Sequence, residues 1–269
     1  MSLSISTPLR RIGQLFFLSS AFVVPAAWAD SYGDFQQASG QLEALMAKAT
    51  THSGLPRLGD PDVAALFARI TDAPRLFQAP VAALQDMNQS VALCERATKL
   101  GKAYYAFDME RPLPLSGAEL QQARADQARQ NLANYGDEMS TFFAFGMHCH
   151  GHLIQLMEQE FSALPADAVS GTERLRARAF SKGSTTMYVG VVQFVQVPFW
   201  NVAQKKRMLE AAAQHATANV ALMPPPLRER LLGTLAQADQ DLDPTLAPAL
   251  ATIRQALSVT TCEGLCQFY

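Results

Sequence analysis

The sequence predicts an all-α protein with a single domain of seven to nine helices arranged around one buried helix. Apolar residues recur at intervals of three and four along most of the chain, which is the periodicity of amphipathic helices. The segment 138–162 is apolar around almost its whole circumference, as expected of a helix enclosed by others. No long polar linker interrupts the pattern, so we expect residues 30–269 to form one domain.

The first 29 residues have the features of a secretory signal peptide. Arg10 and Arg11 precede an apolar run over residues 15–24, and Ala27 and Ala29 occupy the small-residue positions that a signal peptidase reads. That run is too short to cross a bilayer, and no later segment reaches the roughly 20 apolar residues that a membrane helix needs. We therefore expect a cleaved protein that is periplasmic or secreted, without stable membrane insertion.

The charge of the mature chain argues against nucleic-acid binding. The sequence has 22 basic and 24 acidic residues, and two of the basic residues lie in the signal segment, which leaves 20 basic residues and a net charge of −4. A surface with this balance does not attract a phosphate backbone. The expected partner is instead a protein or a small ligand in the exported compartment.

The N-terminal half of the mature chain contains three predicted helices. The first covers residues 35–49, where the apolar residues follow helical spacing. Asp60 as N-cap and Pro61 in the first turn predict the start of the second, a short helix with Ile70 inward whose possible extension Pro74 should end. A longer helix is expected over residues 80–107, before the next prolines.

The central helix follows a fourth amphipathic segment. Ser116 and Glu119 have the spacing of a capping box and predict its start. Asn134 and Gly136 should then kink or interrupt the helix just before the buried segment. Within that segment, the apolar residues and one histidine form two adjacent stripes, Met139, Phe142, Gly146, Cys149, Leu153, Leu156 and Phe143, Met147, His150, Ile154, Met157.

The segment 185–200, TTMYVGVVQFVQVPFW, is compatible with either a helix or a strand. Its valines and aromatic residues favour a strand, whereas its length and helical neighbours favour a helix. We predict a helix here, because a lone strand would have no partner for its backbone groups. A second capping box, Ser170 and Glu173, should open the helix that leads into this segment.

Three more helices complete the predicted fold. Asn201 should cap the first of them, the prolines at 224–226 should turn the chain, and two leucine-rich helices should follow. The residues expected to face inward are Val202, Leu209, Ala212, Ala216 and Val220 in the first, Leu227, Leu231 and Leu235 in the second, and Leu246, Leu250, Ile253 and Leu257 in the third.

The four cysteines predict two disulfides in an oxidising compartment. Cys94 and Cys149 each fall on an apolar stripe, so we expect them to meet in the core. Cys262 and Cys266 would then form a small clasp near the C-terminus. Two buried free thiols remain the alternative to the long-range bridge.

Three of the five histidines lie in the central segment, as His148, His150 and His152. On a helix, His148 and His152 are one turn apart and could share a zinc or copper ion, whereas His150 points away. A third ligand would have to come from His52, His215 or a scattered carboxylate.

Two other interpretations of these histidines stay open. As ordinary core and boundary residues they would only hydrogen-bond to their neighbours, and this is the interpretation we prefer. In an extended strand, all three rings would instead line one face and could form a three-histidine centre.

Two basic runs are predicted to be solvated helix faces. The first contains Arg174, Arg176, Arg178 and Lys182, and an acidic residue lies beside it. The second is the run 205–207, Lys-Lys-Arg.

The motifs of common enzyme classes are missing from the sequence. It contains no G-x-S-x-G, H-E-x-x-H, phosphate-binding glycine loop or C-x-x-C. No enzyme class therefore gains support, and we expect a non-catalytic helical binding protein. The alternative is a metal-binding protein or metal-dependent enzyme that uses His148 and His152.

Overall fold

The computed structural model describes residues 26–77, 84–162, 171–238 and 242–258. These residues form α-helices and two 3₁₀ turns, and no strand occurs among them. Nine of the helices have ten or more residues, so the all-α prediction is confirmed. The helices are α1 (Ala26–Met46), α2 (Pro61–Ile70), α3 (Ala73–Leu76), α4 (Leu84–Tyr105), α5 (Gly117–Asn134), α6 (Gly136–Ser162), α7 (Gly171–Gln193), α8 (Val202–Gln214), α9 (Ala216–Ala221), α10 (Pro225–Ala238) and α11 (Ala247–Leu257).

The predicted central helix is α6. It packs against α3, α4, α5, α7, α8 and α9, most extensively against α4 and α8. Met139 from the first apolar stripe is 1% exposed, and Met147 and Ile154 from the second are fully buried. The prediction of a core helix over 138–162 is therefore confirmed.

Helix α4 runs antiparallel to α6. Ser90 lies beside His152, and an added Cβ at Gly101 would lie 3.1 Å from the Cβ of Phe142. Between these two contacts, a disulfide joins Cys94 and Cys149, whose Cα atoms are 5.6 Å apart. The predicted long-range bridge is confirmed.

Helix α8 runs parallel to α6. Gln204 Nε2 donates to Asp137 Oδ1 at 3.1 Å, and Arg207 Nη1 donates to Ser140 Oγ at 2.6 Å. Both pairs are separated by 67 residues in the sequence. This constant offset means that the two helices run in the same direction, and it determines which side chains of α6 and α8 contact each other in the following turns.

The ambiguous segment 185–200 is helical as far as Gln196. Helix α7 continues to Gln193, and a 3₁₀ turn follows at Phe194–Gln196. Val192 and Tyr188 are fully buried, and the Tyr188 hydroxyl donates to the carbonyl oxygen of Ala212 at 3.2 Å. The valines therefore pack into a helical interface, and the strand alternative is wrong.

Helix α1 confirms the first predicted helix, with Phe35 and Leu42 fully buried. The Asp34 carboxylate forms ion pairs with Arg69 and Arg75, which tie α1 to α2 and α3. These hydrogen bonds hold the pKa of Asp34 below its usual value. The N-terminal helices therefore pack as part of the same core.

Several local predictions were wrong. Ser116 is the N-cap residue of α5, but its side chain makes no capping hydrogen bond. Val202 is exposed rather than inward-facing. Helix α2 stops at Ile70, as its inward residues predicted, but Pro74 lies in the first turn of a further short helix, α3, which was not predicted. The helix expected after Asn201 is divided into α8 and α9 at His215.

Some predictions lie outside the described residues. These are most of the signal segment, Ser170 of the second capping box, and the Cys262–Cys266 clasp. Within the described part of the chain, α1 begins at Ala26, and no helix is long and apolar enough to cross a membrane.

Candidate functional site: a histidine pair beside a cleft

His148 and His215 form a close pair, which we call the histidine pair. Nδ1 of His148 lies 3.0 Å from Nε2 of His215, and the two rings meet edge to face with an interplanar angle of 83°. They are 67 residues apart, which is the offset of the other α6–α8 contacts. The parallel packing of α6 and α8 therefore places His215 opposite His148.

The position of His215 follows from a helix break and a glycine. His215 lies between α8 and α9, where the backbone leaves helical geometry, with φ −108° and ψ 16°. An added Cβ at Gly151 would lie 2.0 Å from Nδ1 of His215. Only a residue without a side chain at position 151 lets this imidazole approach α6 so closely.

The other two histidines of α6 have different neighbours. His150 Nδ1 lies 3.1 Å from Ser184 Oγ on α7. His152 Nε2 lies 3.3 Å from Ser90 Oγ on α4, and its ring stacks on Phe77 with centroids 4.5 Å apart. Each of these rings thus has a polar neighbour on another helix.

Burial favours the neutral form of all four histidines. Desolvation lowers the pKa of His148 and His152, and it lowers the pKa of His150 to about 4. The pKa of His215 also falls to about 4, because burial adds to repulsion from positive charge on His148 and His152. At neutral pH these rings therefore keep one unprotonated nitrogen each.

A cleft opens beside the histidine pair, and we call it the α6–α8 cleft. Its volume is about 440 Å³. Its floor and walls combine three alanines with polar and charged side chains, namely Ala144, His148, Ala203, Lys206, Arg207, Glu210, Ala211 and Gln214. Lys206 Nζ lies 3.7 Å from Glu210 Oε1, and Arg207 is held against α6 by its hydrogen bond to Ser140.

The sequence prediction named His148 and His152 as shared metal ligands. The structure places them on different neighbours, because His148 faces His215 while His152 Nε2 faces Ser90. Of the two histidines considered as a third ligand, His215 contacts His148, whereas His52 is exposed. Among the described residues, no group of three or more His, Cys, Asp or Glu side chains is arranged to hold a metal ion.

The two basic runs differ in the structure. Arg174, Arg176, Arg178 and Lys182 on α7 are all exposed, as predicted. In the run 205–207, Lys206 is exposed as predicted, although it lines the cleft, whereas the prediction was wrong for Arg207, which is half-buried and bonds to α6.

The sequence reasoning missed the cleft. The polar residues of its α8 wall follow the i, i+4 spacing of an ordinary solvated face, at Lys206, Glu210 and Gln214. Only the alanines between them, which bring α8 close to α6, could have signalled a helix interface. No protein-family model, no curated protein and no solved structure matches this chain, so any functional assignment comes from its own residues.

Proposed function

We propose that this chain is an exported, non-catalytic helical binding protein and that the α6–α8 cleft binds a small molecule with an anionic group. The main support for this proposal is the composition of the cleft, where two cationic side chains lie among small apolar ones. Its volume of about 440 Å³ falls in the range of small-ligand sites, about 300–1,000 Å³. The sequence supports a non-catalytic role, because it lacks the common catalytic motifs.

The cationic residues favour an anion. Lys206 has three donor hydrogens, and its contact with Glu210 at 3.7 Å can occupy only one of them. Arg207 is oriented by its hydrogen bonds to Ser140 and to the Asp137 carbonyl oxygen, and a guanidinium has five donors. A carboxylate or phosphate could therefore accept hydrogen bonds from both side chains.

Export is the second part of the proposal. Arg10 and Arg11, the apolar run after them and the small residues before position 30 have the order of a secretory signal. The Cys94–Cys149 disulfide supports an oxidising compartment, because such bonds are rare in the cytosol. The ligand should therefore be a molecule of the periplasm or the surrounding medium.

Calorimetric titration with acetate, succinate, citrate and inorganic phosphate tests the proposed site. We expect at least one of these anions to bind with one-to-one stoichiometry. Replacing Lys206 with Gln should weaken that binding about tenfold, which corresponds to about 1.4 kcal/mol. The matched control is Lys182→Gln, which removes an exposed charge from α7 and should leave the affinity unchanged.

Two results would reject the proposed site. One is the absence of saturable binding for all four anions. The other is equal weakening by Lys206→Gln and Lys182→Gln, since this would indicate a general effect of net charge rather than binding in the cleft.

A further inference from the structure

We propose that His148 and His215 together bind one copper(II) ion beside the α6–α8 cleft. This site differs from the His148–His152 pair that the sequence suggests, because its second ligand comes from the α8–α9 junction. It shares only His148 with the lining of the proposed anion site, since His215 does not line the cleft.

The spacing of the two nitrogens fits two neighbouring positions around one metal ion. With metal–nitrogen bonds of about 2.0–2.1 Å, ligands at a right angle lie about 2.9 Å apart, and tetrahedral ligands lie about 3.3 Å apart. The observed distance between His148 Nδ1 and His215 Nε2 is 3.0 Å, nearer the right-angle value. Right-angle coordination by nitrogen and oxygen is typical of tetragonal copper(II), which also binds such ligands most tightly among the divalent first-row metals.

Both rings can become ligands while they stay neutral, provided that the ring that donates the hydrogen bond between them moves its hydrogen to its other nitrogen through solvent. A neutral imidazole has one N–H and one unprotonated nitrogen, and which nitrogen holds the hydrogen depends on its surroundings. With copper on Nδ1 of His148, the hydrogen lies on Nε2, and with copper on Nε2 of His215, it lies on Nδ1. The ion replaces the single hydrogen bond that joins the two rings in the metal-free protein.

The cleft supplies access and the other coordination positions. His148 is part of its lining, so the cleft brings solvent to one member of the histidine pair. Glu210 lines the same cleft, and its side chain is 59% exposed. Water molecules in the cleft would supply the oxygen ligands of this two-histidine copper site, because no third His, Cys, Asp or Glu side chain among the described residues is grouped with the two rings.

His152 is not part of this proposed site. Its Nε2 lies 3.3 Å from Ser90 Oγ, and its ring stacks on Phe77. These two contacts hold the ring between α3 and α4. His152 is therefore a matched control, because it is a half-buried histidine of the same helix, one turn from His148.

The test is titration of the full mature chain with copper sulfate after removal of metals with a chelator. Calorimetry should show one ion per chain, and electron paramagnetic resonance should show splitting from two nitrogen ligands. We expect His215→Asn and His148→Asn each to weaken binding at least 30-fold and to leave one nitrogen in the spectrum. His152→Ala should change the affinity less than threefold.

The competing outcomes are distinct. Failure of the unmodified chain to bind one copper ion, or unchanged binding in either asparagine variant that retains its circular dichroism, would overturn the site. Loss of binding in His152→Ala with retention in His215→Asn would overturn it in favour of the His148–His152 pair. Because Lys206→Gln should keep copper binding and His215→Asn should keep anion binding, the two proposals can fail separately.

Discussion

The two main neighbours of α6 are attached to it by different chemistry. The α4 interface is covalent and aromatic, with the Cys94–Cys149 disulfide and the Phe142 ring against Gly101. The α8 side combines buried apolar residues with polar contacts, which include the hydrogen bond from Gln204 to Asp137 and the histidine pair. One side of the central helix is therefore joined by a covalent bond, and the other is held by non-covalent contacts that include two titratable rings.

This difference explains why the candidate site lies on the α8 side. The hydrogen bond of the histidine pair joins two neutral rings and contributes about 0.5–1.5 kcal/mol, so its exchange for contacts with a ligand has a small energetic cost. The α4 side can then keep the helix in place while the α8 side adjusts. Each prediction below alters one side of α6 and measures whether the other side responds.

The largest effect is expected from removal of the disulfide. In Cys94→Ala/Cys149→Ala, the 55-residue loop between these positions is no longer closed in the unfolded chain. The entropy of the unfolded state therefore rises, and the free energy of unfolding should fall by about 4 kcal/mol. Urea denaturation followed by circular dichroism measures this loss. The anion and copper affinities should stay within about twofold at temperatures where the variant is folded, and loss of both would show that the α8 side depends on the covalent tie.

A smaller effect is expected on acidification, at the contact between His150 and Ser184. The pKa of His150 is about 4 in the folded protein and about 6.5 when the chain is unfolded, because burial disfavours the charged ring. Its contribution to stability is complete above pH 6.5 and is lost as the pH falls towards 4. The loss should reach about 3 kcal/mol, since each pKa unit corresponds to about 1.4 kcal/mol.

The measurement is urea denaturation between pH 7 and pH 4 in the presence of a chelator, which removes any contribution from bound metal. His150→Gln cannot gain the proton and should show a shallower decline over the same interval. An identical decline in both proteins would mean that other groups control the acid sensitivity.

The two sides of α6 also differed in how well the sequence predicted them. The buried helix and its cysteine were predictable because an apolar pattern within one segment reports burial directly. The pairing of Cys94 with Cys149 followed because both cysteines lie on such stripes. These features depend on information that is local in the chain.

The α8 side depended on information that is not local. His215 meets His148 only because α6 and α8 are parallel with an offset of 67 residues, and neither property can be read from either helix alone. Lys206 has the spacing of a solvated face, although it lines a cleft. The prediction for Ser116 was limited in the same way. A serine is a suitable N-cap residue, but whether its side chain forms the capping hydrogen bond depends on its surroundings, and here it does not.

The next prediction concerns Gly151, which lets His215 approach α6. In Gly151→Ala, the new Cβ would lie 2.0 Å from Nδ1 of His215, so the ring must move away. We expect a loss of about 2 kcal/mol, as for other insertions into a packed interface, together with loss of copper binding.

Gly183→Ala is the matched control for this substitution. Gly183 is an exposed helical residue, and nothing lies within 4 Å of an added Cβ. Because alanine favours the helix over glycine, this variant should gain about 0.5–1 kcal/mol and keep copper binding. Equal effects of the two substitutions on stability would contradict the close approach of His215.

The smallest effect is expected at the start of α8. The Asn201 side chain accepts a hydrogen bond from the Gln204 backbone, and the Gln204 side chain accepts one from the Asn201 backbone at 3.0 Å. Since Gln204 also bonds to Asp137, this cap holds the first turn of α8 against α6. Asn201→Ala should therefore destabilise the protein by about 1 kcal/mol, as measured by urea denaturation.

Ser116→Ala at the start of α5 separates this effect from a general preference for polar residues before helices. Ser116 occupies the same N-cap position, but its side chain makes no capping bond. Its replacement should change stability by less than about 0.5 kcal/mol, the usual range for surface sites. If Asn201→Ala also weakens anion binding while Ser116→Ala does not, the position of α8 determines the anion affinity of the cleft. The polar attachment of α8 to α6 would then have a functional consequence that the disulfide side lacks.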